Sequence, residues 1–258
     1  MPEISVTFLG TGTSSGVPMI ACDCEVCTST NLKDKRLRSS VLVQSENTVL
    51  SIDATPDFRQ QMLQLGNKQL DAILVTHGHK DHIGGMDDVR AYNYFQKKPM
   101  HVYANELGSQ AIVHELPYAF ADFKYPGVPE INLETIDEAP FMIGDIPVLP
   151  IRVWHHKLPV LGYRIGNFTY ITDANKIEDS QKELIKGSSV LVVNALRREP
   201  HISHFTLDQA TNLINELKIP QAYLTHISHQ LGLHDEVNKE LPSHIQLGYD
   251  GLVLKVTL

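Results

Sequence analysis

The sequence predicts a single α/β domain built on two mixed β-sheets. Strand-like runs rich in apolar and β-branched residues recur along all 258 residues, and helix-like runs lie between the later ones. The early runs are spaced as in hairpins, whereas the later runs alternate with helices, which favours sheets with both antiparallel and parallel strands. No repeat, linker or low-complexity segment divides the chain, so we expect one domain over residues 1–258.

The first predicted strand, Ile4–Leu9, alternates in polarity and leads into a glycine-rich loop at residues 10–16. That loop lacks both the lysine of a P-loop and the glycine spacing of a dinucleotide-binding loop. We therefore favour a tight turn over a phosphate-binding loop. The later predicted strands are Ser40–Gln44, Thr48–Ile52, Ala72–Thr76, His101–Tyr103, Pro147–Trp154, Gly162–Ile165, Phe168–Thr172, Val190–Ala195, Ala222–Thr225 and Leu252–Val256.

Four helices are predicted from the spacing of apolar residues, and the last has Thr206 as a suitable N-cap. They are Asp57–Leu65, Gly85–Phe95, Gln181–Lys186 and Thr206–Lys218. Residues 114–130 break the pattern, because four aromatic residues and three prolines occur there without a clear period. This segment could be a lid over a site, a subunit contact in a homodimer, or a packed surface loop.

Composition and charge narrow the classes of function. The chain is 42% hydrophobic and 20% charged, which is ordinary for a globular protein, and no apolar run approaches the roughly 20 residues that span a bilayer. The N-terminus shows no secretory signal, so we expect a cytoplasmic protein with no membrane partner. A net charge of −8 makes a nucleic-acid partner unlikely on electrostatic grounds. A small anionic substrate stays compatible with it, because bound metal ions supply local positive charge.

Residues 76–82 read Thr-His-Gly-His-Lys-Asp-His and follow a run typical of a buried strand. Imidazole and carboxylate are common protein ligands for zinc, manganese and iron. His77 and His79 share one side of an extended chain, while Asp81 and His82 lie on the following turn. The chain has 13 histidines, so some pairs occur by chance. Four such residues directly after a strand indicate the start of one metal site or two neighbouring ones.

Further ligand-type residues follow three later predicted strands. His155 and His156 come after one, Asp173 after another, and His226 after a third. A single case would more often be a capping or core residue. Three cases together with the first motif form a set, and the ends of neighbouring strands can meet at one edge of a sheet.

With Asp53, this series resembles the metallo-β-lactamase superfamily, in which an early Asp and a His-x-His-x-Asp-His motif precede His, Asp and His at later strand ends. The resemblance covers nearly the whole chain. It implies an αββα sandwich whose site lies at one edge of the two sheets, with two divalent ions, Zn or Mn. The implied ligands are His77, His79 and His155 for one ion, Asp81, His82 and His226 for the other, and Asp173 between them. It implies that Asp53 orients a ligand or the loop without binding metal.

The run from His155 to Tyr163 resembles the family motif in which the first of two adjacent histidines binds, so we expect His155 and not His156 as the ligand.

The three cysteines, Cys22, Cys24 and Cys27, lie within six residues. An odd number is a poor basis for disulfides, and the spacing indicates a metal site that lacks one ligand. It resembles the extra zinc site of the phosphoribosyl cyclic phosphate phosphodiesterase branch, which acts in the carbon–phosphorus lyase pathway. That resemblance implies His229 as the fourth ligand of one structural Zn. Free or redox-sensing thiols are the alternative.

The same branch implies a phosphodiesterase acting on a small, cyclic ribose phosphodiester, with a metal-bridging hydroxide as nucleophile. It implies Asp81 and His204 as catalytic residues, with His204 protonating the leaving oxygen, and His201 competes for that role. Lys157, Arg197 and Arg198 are candidates for binding a distal phosphate, or are simply solvated charges. The alternatives are a tRNA 3′-end endonuclease, a glyoxalase-II-like thioester hydrolase and, from another class, a non-catalytic zinc-held scaffold.

Overall fold

The computed structural model describes residues 2–258, and β-strands make up its centre. In chain order they are β1 (Glu3–Gly10), β2 (Ser40–Gln44), β3 (Val49–Ile52), β4 (Ala72–Leu74), β5 (Met100–Ala104), β6 (Ile131–Thr135), β7 (Phe141–Ile143), β8 (Ile146–His155), β9 (Leu158–Ile165), β10 (Phe168–Ile171), β11 (Val190–Asn194), β12 (Gln221–Thr225), β13 (Ile245–Leu247) and β14 (Val253–Thr257). The helices are α1 (Glu25–Thr28), α2 (Phe58–Leu65), α3 (Lys80–Ile83), α4 (Arg90–Gln96), α5 (Glu106–Glu115), α6 (Asp179–Ile185), α7 (Leu207–Leu217) and α8 (His234–Glu240).

The strands form two mixed sheets of seven strands each. The first has the order β14-β1-β2-β3-β4-β5-β6 and the second the order β13-β12-β11-β10-β9-β8-β7. In the first sheet β14, β1, β2 and β3 are antiparallel, and β3 to β6 are parallel. In the second sheet β7 to β10 are antiparallel and β10 to β13 are parallel. The carboxyl ends of the parallel strands in each sheet therefore lie at one edge.

The two sheets pack face to face through a shared apolar layer. Val6 and Leu50 of the first sheet belong to the same buried cluster as Tyr163 and Tyr170 of the second. The outer face of the first sheet is covered by α2, α4 and α5, and that of the second by α6 and α7. The predicted architecture, two mixed sheets between layers of helices, is confirmed.

Helix α7 shows how local sequence sets an element boundary. The Thr206 hydroxyl accepts a hydrogen bond from the Gln209 backbone, and the Gln209 side chain accepts one from the Thr206 backbone, which forms a capping box. Five buried residues on one face then attach the helix to the second sheet: Leu207, Ala210, Leu213, Ile214 and Leu217. The predicted N-cap is confirmed.

Seven strands and helices escaped the sequence analysis, and each has a weak local signal; two of them, α1 and α3, are helices of four residues. Strands β7 and β13 have three residues, and β6 is a mostly exposed edge strand. Helix α5 contains a glycine and no pronounced apolar stripe, and α8 is a short helix rich in charged residues. Their positions depend on tertiary contacts, which sequence periodicity does not report.

The aromatic segment at residues 114–130 begins in the last turn of α5 and continues as one turn of 3₁₀ helix and a loop. Its start is attached to α3 and to the 3₁₀ turn that follows α3, because Glu115 forms an ion pair with Lys80 and the Tyr118 hydroxyl donates to Asp87 at 2.6 Å. Phe123 and Tyr125 further along are largely exposed. Within residues 2–258, none of the helices is both long enough and apolar enough to cross a membrane.

Candidate dinuclear metal site

The ligand-type residues predicted from the sequence meet at the edge where strands of both sheets end. Those of the first sheet follow β4, and those of the second follow or end β8, β10 and β12. Neighbouring strand ends bring side chains close together although they are far apart in sequence. The residues are His77, His79, Asp81 and His82 from the first sheet, and His155, Asp173 and His226 from the second.

The backbone is left-handed at three of the strand ends that build the site. Asp53, Asp173 and His226 have φ angles of 68°, 58° and 55°. This conformation is uncommon for residues other than glycine and costs about 1–3 kcal/mol at each position. Its concentration at one sheet edge indicates that the surrounding contacts hold the chain there in order to aim these side chains.

The first ligand group consists of three histidines and one carboxylate. One ligand atom from each of His77, His79, His155 and Asp173 lies within 4.8 Å of the others. His77 Nε2 lies 3.6 Å from Asp173 Oδ2. His79 is exposed whereas the other three are buried, so this group is open to solvent on the His79 side.

The second ligand group shares Asp173 with the first. It contains Asp81, His82, Asp173 and His226, again with one ligand atom from each within 4.8 Å of the others. His82 Nε2 lies 3.4 Å from both Asp81 Oδ2 and Asp173 Oδ2, and His226 Nδ1 lies 3.0 Å from Asp173 Oδ1. Asp173 Oδ2 therefore faces a ligand of each group, and Oδ1 faces His226 of the second group.

Unpartnered nitrogen atoms show that this donor set fits metal ions. His77 Nε2, His82 Nε2 and His226 Nδ1 are fully buried, and none has a hydrogen-bond partner within residues 2–258. A buried polar atom without a partner costs roughly 1–3 kcal/mol. All three lie within 3.6 Å of a carboxylate oxygen of Asp173. Imidazole nitrogens converging on a carboxylate suit Zn²⁺ or Mn²⁺.

Hydrogen bonds behind the ligands fix the orientation of two imidazole rings. His82 Nδ1 donates to Asp53 Oδ2 at 2.6 Å, and His155 Nδ1 donates to the Ser203 carbonyl at 2.9 Å. Each bond leaves Nε2 of the ring free. Asp53 also accepts from the backbone and the hydroxyl of Thr76 and is outside both ligand groups.

Charge coupling within the cluster is strong. Burial alone would raise the pKa of Asp173, but His226, His82 and His77 lower it well below its usual range. Burial alone would lower the pKa of His82, but Asp173, Asp53 and Asp81 raise it well above its usual range. Asp173 is therefore a carboxylate, the form that binds a cation. The positive charge it needs comes from protonated imidazole or, when present, from metal.

Of the two adjacent histidines, the structure brings His155 to the cluster. His155 is the last residue of β8 and is buried. His156 is exposed, has a φ of 57°, and its backbone donates to the Asn175 side chain. The left-handed residue ends the strand, which separates the directions of the two side chains.

His204 lies beside both ligand groups and belongs to neither. Its ring centroid is 4.6 Å from that of His155 and 4.8 Å from that of His226, and it is 8% exposed. Its Nδ1 is buried with no hydrogen-bond partner among the described residues. Burial, with a further contribution from His226, lowers the pKa of His204 to about 3, so the ring is neutral until an anionic ligand favours the charged form. The ring centroid of His201, the competing residue, lies 5.0 Å from that of His204.

The three cysteines meet His229, the residue that the family resemblance implies, in what we call the Cys₃His cluster (Cys22, Cys24, Cys27 and His229). Its four ligand atoms lie within 4.8 Å of one another, and Cys22 Sγ and Cys24 Sγ are each 3.3 Å from His229 Nδ1. The hydrogen bond from His229 lowers the pKa of Cys24 to about 6. Three sulfurs and one imidazole form the donor set of closed tetrahedral zinc sites.

The glycine-rich loop connects the Cys₃His cluster to the ligand cluster. The Ile227 backbone donates to the Thr11 carbonyl at 2.9 Å, and the Thr13 backbone donates to the Ile227 carbonyl at 3.1 Å. Ile227 lies directly after the ligand-type residue His226. The loop is thus a turn paired with the chain between His226 and His229, in agreement with the interpretation as a tight turn.

The basic residues considered for a distal phosphate have other partners. Arg197 donates to the Gln230 side chain at 2.9 Å and to the Pro200 carbonyl at 3.1 Å. Arg198 forms an exposed ion pair with Glu240, and Lys157 is exposed in the turn between β8 and β9.

Sequence analysis missed the buried threonines that precede the ligands. Thr76, Thr172 and Thr225 are each fully buried and stand directly before His77, Asp173 and His226. The Thr172 hydroxyl donates to Asp173 Oδ1 at 2.8 Å, and the Thr76 hydroxyl bonds Asp53. The repeated pairing of threonine with a ligand-type residue at a strand end was the available signal.

Family comparison agrees with the geometry. Residues 48–227 match the family described as beta-lactamase superfamily domain. The chain belongs to the metallo-β-lactamase superfamily. It is 42% identical over 248 residues to a protein from Porphyromonas gingivalis named octanoyltransferase, a match that covers 95% of this chain and 50% of that protein. It is 31% identical over 99 residues to coenzyme PQQ synthesis protein B from Methylobacterium radiotolerans, which covers 33% of each chain. The chain thus spans half or less of these relatives.

Solved structures of the superfamily share the whole fold. A crystal structure described as a new diphosphatase from the PhnP family is 40% identical, with a TM-score of 0.93, and covers 99% of this chain and 98% of its own. Zn²⁺-bound PqqB from Methylobacterium extorquens is 18% identical with a TM-score of 0.79, covering 97% and 99%. Human tRNase Z, short form, is 17% identical with a TM-score of 0.71, covering 98% and 100%. At these lower identities the likeness is one of fold.

Replacing the shared carboxylate tests the dinuclear arrangement. Purified protein should contain about three metal ions, two in the ligand cluster and one in the Cys₃His cluster. In Asp173→Ala this number should fall towards one, because both groups lose a ligand. Elemental analysis of the purified variants measures it, and the exposed neighbour variant His156→Ala serves as control. Three ions retained in Asp173→Ala would contradict the bridging position.

Replacing a thiol tests the Cys₃His cluster separately. Cys24→Ser should release one zinc ion and lower the melting temperature, because structural zinc contributes folding free energy directly. Differential scanning calorimetry and zinc analysis measure the two effects. Unchanged zinc content and an unchanged melting temperature would indicate free thiols.

Proposed function

We propose that this domain is a metal-dependent phosphodiesterase that hydrolyses a small cyclic ribose phosphodiester, with two divalent ions, Zn or Mn, bound at the ligand cluster. The observation that carries the proposal is the Asp173 carboxylate, whose Oδ2 faces a ligand of each group while its Oδ1 faces His226. A shared carboxylate sets two cations at the short separation used in two-metal hydrolysis of phosphate esters. The 40% identical diphosphatase also acts, by its description, on phosphorus.

Different residues of the chain serve different functions in the proposed reaction. When bound, two divalent ions provide a nucleophilic water at neutral pH and neutralise charge on phosphoryl oxygens. Asp53 and the Ser203 carbonyl hold the rings of His82 and His155 in one orientation, so no reorganisation is needed when substrate arrives. The exposed position of His79 marks the open side of the cluster through which a small substrate enters.

His204 is the residue of this chain placed to protonate a leaving oxygen. It contacts the rings of His155 and His226 without belonging to a ligand group, and its Nδ1 is unpartnered among the described residues. The negative charge of a bound phosphoryl group favours the imidazolium form, which opposes the effect of burial on the His204 pKa. Opening a cyclic ribose phosphate releases an alkoxide, a strong base that needs this proton.

A second candidate is hydrolysis of a diphosphate bond, favoured by the description of the 40% identical structure as a diphosphatase. The same ligand groups would serve, since the reacting atom is again phosphorus. The difference lies in the leaving group, because a departing phosphate is a much weaker base than an alkoxide. A diphosphatase would therefore depend far less on a proton from His204.

Two other activities have weaker support. The chain carries a net charge of −8, which opposes binding along a nucleic-acid backbone, and its likeness to tRNase Z at 17% identity is one of fold. The P. gingivalis relative named octanoyltransferase is about twice as long as the matched region, so its name belongs to a larger protein. Thioester hydrolysis by the ligand cluster is therefore tested directly, with an octanoyl thioester among the substrates below.

A substrate panel tests the proposed reaction. Metal-loaded protein should hydrolyse a ribose 1,2-cyclic phosphate faster than a linear phosphodiester, a dinucleotide diphosphate, a precursor tRNA or an octanoyl thioester, as judged by kcat/KM. Asp173→Ala is the control for contaminating activity in every case. Preference for the diphosphate would select the second candidate, and preference for the thioester or the tRNA would overturn both.

The leaving group can be varied to test His204. His204→Ala should retain its metal ions, because His204 is outside both ligand groups, and should lose about 10²–10⁴ in rate on a diester with an alkyl leaving group. The loss should be much smaller with a nitrophenyl leaving group, which departs without a proton. Steady-state kinetics with both esters and metal analysis provide the measurements. Equal losses would contradict the acid role and favour phosphate binding by His204.

A further inference from the structure

Two consecutive serines at the start of β2, Ser39 and Ser40, contact two of the left-handed strand ends of the site. Both side chains are buried, with 1% and 0% exposed. Successive side chains of an extended chain point in opposite directions, and the two hydroxyls accordingly reach different sheets. Ser39 reaches the end of β12, and Ser40 reaches the end of β3.

The Ser39 hydroxyl lies between the glycine-rich loop and His226. It donates to the Gly12 carbonyl at 3.0 Å, accepts from the His226 backbone at 3.0 Å, and lies 3.2 Å from the Thr225 hydroxyl. A hydroxyl has one donor and two acceptor sites, so this one is fully used. Ser39 thereby fixes the left-handed backbone of the ligand residue His226, which lies 187 positions further along the sequence.

The Ser40 hydroxyl contacts the backbone at the strand end that carries Asp53. It donates to the Ile52 carbonyl at 2.8 Å and lies 3.2 Å from the Asp53 carbonyl, which also accepts from the Ser51 hydroxyl at 2.8 Å. Asp53 in turn accepts from His82 Nδ1 at 2.6 Å. Ser40 therefore supports the turn whose carboxylate orients the His82 ring.

Both paths reach the second ligand group directly, whereas His77 of the first group is connected to Asp53 only through the Thr76 hydroxyl, which lies 3.1 Å from His77 Nδ1. His226 and His82 belong to the second group, with Asp81 and Asp173, whereas the histidines found only in the first group are His77, His79 and His155. Within the described residues, neither serine hydroxyl bonds a residue of that histidine triad. We propose that Ser39 and Ser40 are positioning residues for the second metal position, an inference that rests on the proposed dinuclear site.

The physical reason is the cost of a buried donor without a partner. In Ser39→Ala the His226 N–H loses its acceptor in a site that is closed to water. The strained backbone at His226 can then relax towards a right-handed conformation, which turns the imidazole away from Asp173. The first position keeps its ligands and their supports, including the bond from His155 to Ser203.

The test is a stepwise Mn²⁺ titration of protein whose ligand cluster has been emptied by a chelator, followed by electron paramagnetic resonance. Wild type should bind two ions and show the spectrum of a coupled pair. Ser39→Ala and Ser40→Ala should bind the first ion as wild type does and the second at least about tenfold more weakly, with an uncoupled spectrum at intermediate Mn²⁺. The matched control is Ser188→Ala, which removes a buried hydroxyl that bonds Thr169 and the Ile185 carbonyl, both at 2.7 Å.

The outcomes separate this inference from the dinuclear proposal. If wild type binds fewer than two Mn²⁺ ions in the ligand cluster, both are overturned. If wild type binds two and the serine variants bind them equally tightly, or weaken both positions alike, only the role of the serines is overturned. The same holds if Ser188→Ala weakens the second ion as much. Ser39→Ala and Ser40→Ala act on different sheets, so a folded sample of either variant decides the question.

Discussion

The sharing of the Asp173 carboxylate is the interaction on which the rest of the site depends. Its oxygens lie within 3.6 Å of nitrogens from His77, His82 and His226. A buried carboxylate needs compensating positive charge, and buried imidazoles need partners for both nitrogens. Protein groups alone leave the second need unmet, because three of the cluster's nitrogens lack hydrogen-bond partners among residues 2–258. Divalent cations satisfy both needs at once, which is why the residues that form a poor hydrogen-bond network form a good ligand set.

The fold supplies the geometry that this sharing requires. Asp173 and His226 come from the second sheet and the His-x-His-x-Asp-His turn from the first, so the cluster exists only where the two sheets meet at one edge. Each strand must stop abruptly there, and left-handed residues at Asp53, Asp173 and His226 achieve this. The strain is offset by apolar burial between the sheets and by hydrogen bonds with buried hydroxyls, since that of Thr76 donates to Asp53 and that of Ser39 accepts from the His226 backbone. The contacts that stabilise the sandwich therefore also hold the site residues in position.

Much of this arrangement could be predicted from the sequence, because the signals for the strands and for the site lie next to each other in the chain. Each ligand-type residue directly follows a hydrophobic run, so strand prediction and site prediction used the same signal. The choice between His155 and His156 needed a family motif, because periodicity treats both positions alike. Short or exposed edge strands such as β6 and β13 gave no period to detect. The roles of the serines at the start of β2 could not be predicted for a different reason. Their hydrogen-bond partners lie up to 187 residues away, and the sequence does not distinguish a buried serine from an exposed one.

The chain from His226 to His229 joins two candidate metal environments. His226 belongs to the second ligand group and His229 to the Cys₃His cluster, with Ile227 between them paired to Thr11 and Thr13 of the glycine-rich loop. That loop also accepts the Ser39 hydroxyl at Gly12, where a side chain in place of the glycine would collide with the backbone near Arg36. A metal ion in the Cys₃His cluster would therefore fix the far end of a four-residue segment whose near end carries a ligand. Because such a short segment cannot shift at one end independently of the other, a metal-bound Cys₃His cluster would stabilise the geometry of His226 as well as the fold around the cysteines.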